Sequence, residues 1–341
     1  MTIRDIASMA GVSVATVSRV INNTGYVSAK TRENIENLIE EYDFRPNAVA
    51  RSLIRNDTEM IAVVLPGRLN PFFAKILDAV NAWAEREGNS VLFYNTEEDS
   101  EKEYHAIVRA IEQRVRGILL LPVMESMKRT VELLNGASRT GVAVVLVDRD
   151  MPGASFDSVF IDNSQVVYEA INLLVEKGHR NIGIVTCPEA LSKGRGRLDG
   201  YRRCLSEWQL AVQDDYIYHG EFNEQSGYDA CSYFLEQKNP PTAILATCSS
   251  VTLGCIRYFS EHGLTAGKDV ALVGFDDIEL LHAIGYQLTV ITRPMSEIAE
   301  LACGMLAEQM RKSKSSRSSR KIFLEPEIQL RGSEKLSVKE I

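Results

Sequence analysis

The spacing of apolar residues divides the chain into two parts near residue 59. Before this point, short segments repeat apolar positions every three or four residues, which is the period of one helix face. After it, uninterrupted apolar runs such as Met60–Leu65 alternate with longer helical patterns. Buried runs that alternate with helices are typical of a parallel sheet covered on both faces. The pattern therefore predicts a small all-α region followed by a large α/β region.

Polar residues mark where the helices of the first region begin. The segment from Thr2 to Asp5 fits a capping box, and Ser13 and Ser28 are good N-caps for a second and a third helix. Gly11 ends the first helix. We therefore expect three short helices around a mini-core that includes Ile35, Leu38 and Ile39 of the third helix.

The first two helices have the spacing of a helix-turn-helix motif. Ala7 supplies a small residue at the crossing, Gly11 the tight turn, and Val17 an apolar residue that locks the pair. The alternative is a three-helix bundle that binds nothing. Small side chains allow close approach to base edges, and Arg19 can donate to both O6 and N7 of guanine. The outer face of the second helix favours DNA binding because its residues are small or form hydrogen bonds: Val14, Ala15, Thr16, Ser18, Arg19 and Asn22.

The distribution of charge changes what the net charge of −8 suggests. Residues 1–57 hold seven basic and seven acidic residues, so the excess of acid lies entirely in the remainder of the chain. Within residues 33–43 all charges are acidic, whereas residues 45–55 carry only basic ones. A polyanion would attract the basic stretches and be repelled by the acidic one.

The first 53 residues resemble the DNA-binding headpiece of the lactose/galactose-repressor (LacI/GalR) family. The similarity rests on residues 3–22 (IRDIA and GVSVATVSRVIN), 27–32 (VSAKTR) and 44–53 (FRPNAVARSL). It implies a helix-turn-helix headpiece at 1–45. The DNA-contacting residues that the resemblance implies are Thr2, Ser13, Val14, Ala15, Thr16, Ser18, Arg19, Asn22, Tyr26, Ser28, Asn47, Ala50 and Leu53.

The resemblance also implies a hinge helix and linker at 46–58. In the family, two such segments pair over the minor groove, and an apolar residue enters a base step and bends the DNA. Leu53 is the matching position here. The alternative is that Leu53 packs against the next domain.

The α/β region is predicted to form two lobes. A strand at 158–161 crosses from the first lobe, after which the strand and helix cycle begins again. The expected lobes are 59–160 with 292–321, and 161–291 with 322–331, the latter including a strand at 322–330. Crossing strands create a hinged cleft, and small ligands bind at such switch points.

Motifs in this region resemble the same family and, through it, the periplasmic sugar-binding proteins. They are NPFF (70–73), GHRNIG (178–183), GRLDGY (196–201) and VGFDD (273–277). The resemblance implies that residues 59–341 form a two-lobed periplasmic-binding-protein-like domain for effector binding and dimerisation. The effector-binding residues that it implies are Phe72, Phe73, Asp148, Lys193, Arg197, Phe222, Cys248, Asp276 and Met295.

Arg197 and Asp276 are the expected charged anchors of the cleft, suited to ligand hydroxyls or to an anionic group. A structural ion pair between the two residues is the alternative. Where the family usually has Asn or Asp followed by Asp, this chain has residues 247–250 (TCSS), whose uncharged groups are less suited to a simple sugar. Lys193 and Arg195 flank Arg197 and suggest a phosphorylated or carboxylated ligand.

An α/β enzyme or a solute-binding module joined to a DNA-binding headpiece is the alternative function. The glycines of residues 194–200 have the spacing G-x-G-x-x-x-G, which departs from the dinucleotide-binding fingerprint. We see no Walker A, G-x-S-x-G or His-Glu-x-x-His motif in the sequence. The six cysteines contain no Cys-x-x-Cys pair, so we expect buried free thiols and neither a metal site nor a cofactor.

The sequence thus predicts a sequence-specific transcriptional regulator, by family default a repressor, under allosteric control by a small molecule. We expect a homodimer and not a tetramer, because no heptad tail follows residue 333. A homodimer would bind a near-palindromic operator. The absence of an apolar amino-terminal segment and of a membrane-length apolar run predicts a cytoplasmic protein without a membrane partner.

Overall fold

The computed structural model describes residues 1–44, 58–67, 71–123, 127–187, 192–311 and 319–335. The chain forms two compact units, Met1–Glu59 and Met60–Ile341. We describe each unit by itself. The hinge-helix residues Asn47, Ala50 and Leu53 lie outside the described residues, as does most of the loop at 313–320.

The first unit consists of three helices around a small apolar core. They are α1 (Ile3–Met9), α2 (Val14–Ile21) and α3 (Ala29–Glu41). Ile6, Val17 and Ile35 have no exposed surface, so each helix contributes one fully buried side chain. The turn between α1 and α2 uses Gly11 at φ +67°, a conformation that L side chains rarely adopt. The predicted helix-turn-helix arrangement is therefore present.

The predicted capping box at the start of α1 is confirmed. The Thr2 backbone N–H donates to Asp5 Oδ2 at 2.7 Å, and the Asp5 N–H donates to Thr2 Oγ1 at 3.4 Å. The bonds from the backbone and hydroxyl of Thr2 lower the pKa of Asp5 below its ordinary value. The carboxylate thus stays charged at the positive end of the helix dipole.

The second unit contains two six-stranded sheets, one in each lobe. The sheet of the first lobe is parallel throughout, in the order β11-β5-β4-β3-β1-β2. Its strands are β1 (Met60–Leu65), β2 (Ser90–Asn95), β3 (Gly117–Leu120), β4 (Ala143–Val147), β5 (Asp157–Ile161) and β11 (Lys321–Leu324).

The sheet of the second lobe repeats this plan, with one antiparallel strand at its edge. Its order is β12-β10-β9-β8-β6-β7, and β12 runs antiparallel to β10. Its strands are β6 (Ile182–Thr186), β7 (Ile217–His219), β8 (Ala243–Ala246), β9 (Ala271–Phe275), β10 (Thr289–Thr292) and β12 (Glu327–Gln329).

Helices cover both faces of each sheet, which explains the uninterrupted apolar runs of the strands. Ile61 and Val63 pack on one face of β1, whereas Ala62 and Val64 pack on the other. The helices of the first lobe are α4 (Pro71–Arg86), α5 (Ser100–Glu112), α6 (Lys128–Thr140) and α12 (Met295–Arg311). Those of the second lobe are α7 (Asn163–Glu176), α8 (Ser192–Glu207), α9 (Glu224–Leu235), α10 (Ser249–Glu261) and α11 (Glu279–Ala283). No helix of the described ranges is long and apolar enough to cross a membrane.

The single strand expected at 322–330 is two strands in different lobes. β11 joins the first sheet and β12 joins the second, so residues 322–324 belong to the first lobe and not to the second, as the sequence had suggested. Pro326 lies between them and has no N–H to extend a ladder. The chain therefore crosses between the lobes at this proline.

The helix that carries Arg197, α8, begins at Ser192 and ends at Glu207. Its glycines lower intrinsic helix propensity but permit a close crossing with α7. A Cβ at Gly200 would lie 2.1 Å from the backbone oxygen of Ser164, closer than any real contact. Only glycine fits there, and this contact sets the position of the helix.

Candidate functional site

The outer face of α2 presents the residues that were predicted to contact DNA. Val17 and Val20 are buried on the inner face of the helix. On the outer face, the exposed residues are Val14, Ala15 and Arg19, with Thr16 and Ser18 half-buried beside them. Small outward side chains leave room for close approach to a groove.

Arg19 is available to a partner outside the chain. Among the described residues no group engages its guanidinium, while its stem runs past Gly25, where a Cβ would lie 3.5 Å from Arg19 Cδ. No acidic residue occurs between positions 6 and 32. A phosphate that approaches α2 would thus meet no acidic residue contributed by this stretch of the chain.

Three other predicted DNA-contacting residues begin helices: Thr2, Ser13 and Ser28 are the N-caps of α1, α2 and α3. Their hydroxyls accept from backbone N–H groups within the first turn, so each has a structural role as well. Asn22 ends α2 and donates from Nδ2 to the Ser18 carbonyl at 2.8 Å. Tyr26 is 90% exposed.

A cavity of about 940 Å³ lies between the two lobes of the second unit. Residues that follow the carboxyl ends of parallel strands line it, as expected at the switch point of such sheets. Of the predicted effector-binding residues, Phe72, Phe73, Asp148, Arg197, Phe222 and Cys248 line the cavity.

The remaining predicted effector-binding residues lie elsewhere or cannot be placed. Asp276 is buried behind the cavity wall, and Met295 packs against the apolar core of the first lobe. Met295 begins α12, whose buried face turns towards the first sheet. Lys193 belongs to α8, but its side chain lies outside the described part of the structure.

Arg293 is a central charged group of the site, although no motif in the sequence marks it. Its Nε and Nη2 lie 2.7 and 2.6 Å from the two carboxylate oxygens of Asp276, and its Nη1 lies 3.2 Å from Asp148 Oδ1. Burial alone would lower the pKa of Arg293, but Asp276 and Asp148 outweigh it and raise the pKa. The alternative ion pair between Arg197 and Asp276 is therefore wrong, because Arg293 occupies that carboxylate.

This triad joins the two lobes. Asp148 follows β4 of the first lobe, Asp276 follows β9 of the second, and Arg293 lies in the segment that crosses between them after β10. Both acids have left-handed backbone conformations, with φ of 67° and 62°. Such conformations persist where the surrounding structure imposes them, often at functional sites.

A second arginine of the cavity is also neutralised. Arg149 Nη1 and Nη2 lie 2.8 and 2.7 Å from the two carboxylate oxygens of Glu98, and Nη1 also donates to the Pro122 carbonyl at 2.9 Å. This bidentate pair is confined to the first lobe. Its charge is therefore satisfied within the protein.

Arg197 differs from both of these arginines. It is 2% exposed, and its Nη1 lies 3.4 Å from Thr247 Oγ1. The guanidinium lies 5.0 Å from the ring centroid of Phe222 and 5.1 Å from that of Phe275. Within the described residues its Nε has no hydrogen-bond partner and no carboxylate forms an ion pair with it. Burial accordingly lowers the pKa of Arg197.

Cys248 provides an uncharged wall next to Arg197. Its Sγ accepts from the Val251 N–H at 3.5 Å, so the thiol caps α10. Burial raises the pKa of Cys248 to about 11, which keeps it a neutral thiol. The side chain contributes shape and no charge to the cavity.

A helix-turn-helix unit followed by a two-lobed α/β unit with an interlobe cavity defines a ligand-responsive DNA-binding regulator. Sequence profiles support this class: the family described as bacterial regulatory proteins of the lacI family matches residues 2–47, and a periplasmic binding protein-like domain matches residues 171–333. The chain belongs to the LacI family of transcriptional regulators.

Relatives match along nearly the whole chain. The HTH-type transcriptional repressor PurR of Actinobacillus pleuropneumoniae serotype 3 is 31% identical over 332 residues, which cover 97% of this chain and 98% of the relative. The catabolite control protein A of Priestia megaterium is 32% identical and covers 92% and 93%. The crystal structure of the Lac repressor dimer bound to operator and the anti-inducer ONPF superposes with a TM-score of 0.85 at 25% identity, covering 98% of this chain and 99% of that one.

Proposed function

We propose that α2 inserts into the major groove of an operator and that a small molecule in the interlobe cavity controls this binding. The observation that carries the first part is the acid-free outer face of α2, on which Arg19 has no partner among the described residues. A homodimer would present two such helices to successive major grooves of a near-palindromic site. We infer repression, in keeping with the names of the relatives.

The cavity supports control by a ligand because its charged groups span both lobes. Arg293 links Asp148 of the first lobe to Asp276 of the second. Nearer the surface, Lys75 Nζ of α4 lies 2.9 Å from Glu279 Oε1 of α11. A ligand that changes the separation of the lobes must strain or relieve these contacts. A coupling of about 1–3 kcal/mol would suffice for regulation.

Binding suits the cavity better than catalysis does. None of the described residues that line it is a histidine. The Cys248 thiol, a candidate nucleophile in the cavity wall, has a pKa raised to about 11 by burial. A nucleophile needs a nearby base or a lowered pKa, and this thiol has neither.

The test is selection of bound duplexes from a random pool by the full-length protein, followed by affinity measurements at constant salt. We expect a two-fold symmetric site. Arg19→Ala should relax the preference at one symmetric position by about 1–3 kcal/mol. Lys268→Ala, which removes an exposed charge from the second unit, should leave specificity unchanged.

Two results would contradict the proposal. The first is a pool in which no sequence is enriched. The second is an Arg19→Ala variant that loses equal affinity for selected and random duplexes, since a contact to phosphate alone carries no sequence information.

A further inference from the structure

Among the described residues of the interlobe cavity, one arginine has no carboxylate paired with it. Three arginines line the cavity, namely Arg149, Arg197 and Arg293. Arg149 forms a bidentate pair with Glu98, and Arg293 holds two aspartates. Within the described residues, Arg197 is the cavity arginine for which no ion pair is found.

The cavity acids are engaged elsewhere. Glu97 lies in an ion pair with Lys102, and Glu224 Oε1 lies 2.7 Å from Arg257 Nη1. Glu221 is exposed at the rim and accepts from the Asn223 side chain at 3.0 Å. A carboxylate that could neutralise Arg197 would therefore have to leave an existing partner.

Among the described residues, Arg197 donates to the Thr247 hydroxyl, and the nearby Asp148 forms its ion pair with Arg293 instead. The rings of Phe222 and Phe275 both lie within about 5 Å of its guanidinium and offer it no charged acceptor. α10 begins at Ser249, directly after Thr247 and Cys248 of the cavity wall. The first turn of a helix has N–H groups without partners inside the helix and carries a partial positive charge. The Ser249 hydroxyl is buried there without a hydrogen-bond partner.

A buried guanidinium without a counter-ion is costly, and ligands relieve such a cost when they supply the missing charge. The planar fork of arginine matches the two oxygens of a carboxylate or a phosphate. A neutral polyol could accept single hydrogen bonds from Arg197 but would leave its charge uncompensated.

We propose that the effector is an organic anion whose carboxylate or phosphate group binds Arg197 in the interlobe cavity, beside Phe222, Phe275 and the start of α10. The inference rests on the proposed function, because it names the chemical class of the ligand that occupies the same cavity. The aromatic wall that includes Phe72 and Phe73 would hold the uncharged body of this molecule.

The first experiment needs no knowledge of the natural effector. The melting temperature of the full-length protein is measured in chloride and then in formate, acetate or inorganic phosphate at constant ionic strength. We expect the anion that fits to raise the wild-type melting temperature by about 3–6 °C at ten times its dissociation constant. Arg197→Met should abolish this shift, whereas Arg203→Gln, which removes an exposed charge from the same helix outside the cavity lining, should keep it.

A conservative variant distinguishes the loss of anion binding from misfolding of the protein. Arg197→Lys retains the charge but not the fork, so it should keep part of the anion-dependent shift. Equal shifts in the wild type and Arg197→Met, or the absence of any shift in the wild type, would overturn the proposal.

The second experiment compares probes that differ in charge. Gluconate against glucose tests a carboxylate, glucose 6-phosphate against glucose tests a phosphate, and orotate against uracil tests an aromatic carboxylate. Each is scored by its Arg197-dependent effect on the affinity for the selected duplex. A neutral probe that changes this affinity would refute the anionic class and leave the regulator intact, whereas a protein without any sequence preference would refute the proposed function.

Discussion

Replacing Arg293 with methionine should destabilise the second unit strongly. Arg293, Asp148 and Asp276 form a buried triad, with side chains that are 6%, 3% and 5% exposed. Methionine keeps the apolar stem that packs near Phe72, whose ring centroid lies 3.5 Å from the guanidinium carbon. The substitution therefore removes the charge while retaining much of the volume. It takes the arginine away from Asp276 and leaves Asp148 with Arg149, whose Nε lies 3.8 Å from Asp148 Oδ2.

The size of the effect follows from the geometry. Removing one member of a buried ion pair costs about 3–5 kcal/mol, because the remaining charge is stranded away from water. Arg293→Met falls within that range, because Asp276 loses its bidentate arginine while Asp148 keeps the weaker contact with Arg149. At about 2–4 °C for each kcal/mol in large domains, the melting temperature should fall by ~6–20 °C.

The assay is thermal unfolding followed by circular dichroism, with Arg311→Met as the matched control. Arg311 lies 3.2 Å from Glu87, but its side chain is 74% exposed, so its loss should cost at most about 1 kcal/mol. Lowering the pH should restore part of the stability of Arg293→Met by protonating a stranded carboxylate. Equal losses in the two variants would show that the triad contributes no more than a surface pair, and the argument from burial would fail.

Two further predictions concern buried titratable groups. Burial lowers the pKa of His179, whose Nδ1 and Nε2 lie 2.9 Å from Thr242 Oγ1 and 3.1 Å from the Glu334 carbonyl. The unfolded chain therefore takes up this proton first, so denaturant titrations should show stability falling as pH decreases below about 6.5, and His179→Gln should show a weaker dependence. The six cysteines are all buried, and burial raises the pKa of Cys204 to about 11 and of Cys303 to about 12. A colorimetric thiol reagent at pH 8 should label the native protein slowly and all six thiols after denaturation, and rapid native labelling of several thiols would contradict the packing.

The first unit could be predicted from the sequence because its signals are local. Thr2, Ser13 and Ser28 are N-caps, and each lies directly before the helix that it caps. The apolar residues that meet in the core repeat at the helix period. Little depends on partners far away in the chain, so pattern and structure agree.

The helices and strands of the second lobe are harder to predict, because the local sequence of several of them does not favour the structure that they adopt. α8 contains glycines that argue against a helix, yet Gly200 is required by the close approach of Ser164. β7 has three residues and β10 has four, too few for a period to be recognised. The helix α9 is also hard to recognise from the sequence EQSGYDACSYFL, since its buried face mixes polar and small residues. These elements depend on packing between segments that are distant in sequence.

The ion pairs of the interlobe cavity could not be predicted from the sequence either. Arg197 and Arg293 are the same residue type, and a pattern cannot tell which of them receives Asp276. The crossing segment after β10 decides the matter, because it places Arg293 within reach of both Asp148 and Asp276. Because Arg293 takes both acids, Arg197 has no ion pair among the described residues, and Arg293 also repels it. The triad of Arg293, Asp148 and Asp276 links the lobes and at the same time keeps both aspartates away from Arg197. We therefore expect the arrangement of the lobes and the charge of the effector to depend on the same triad.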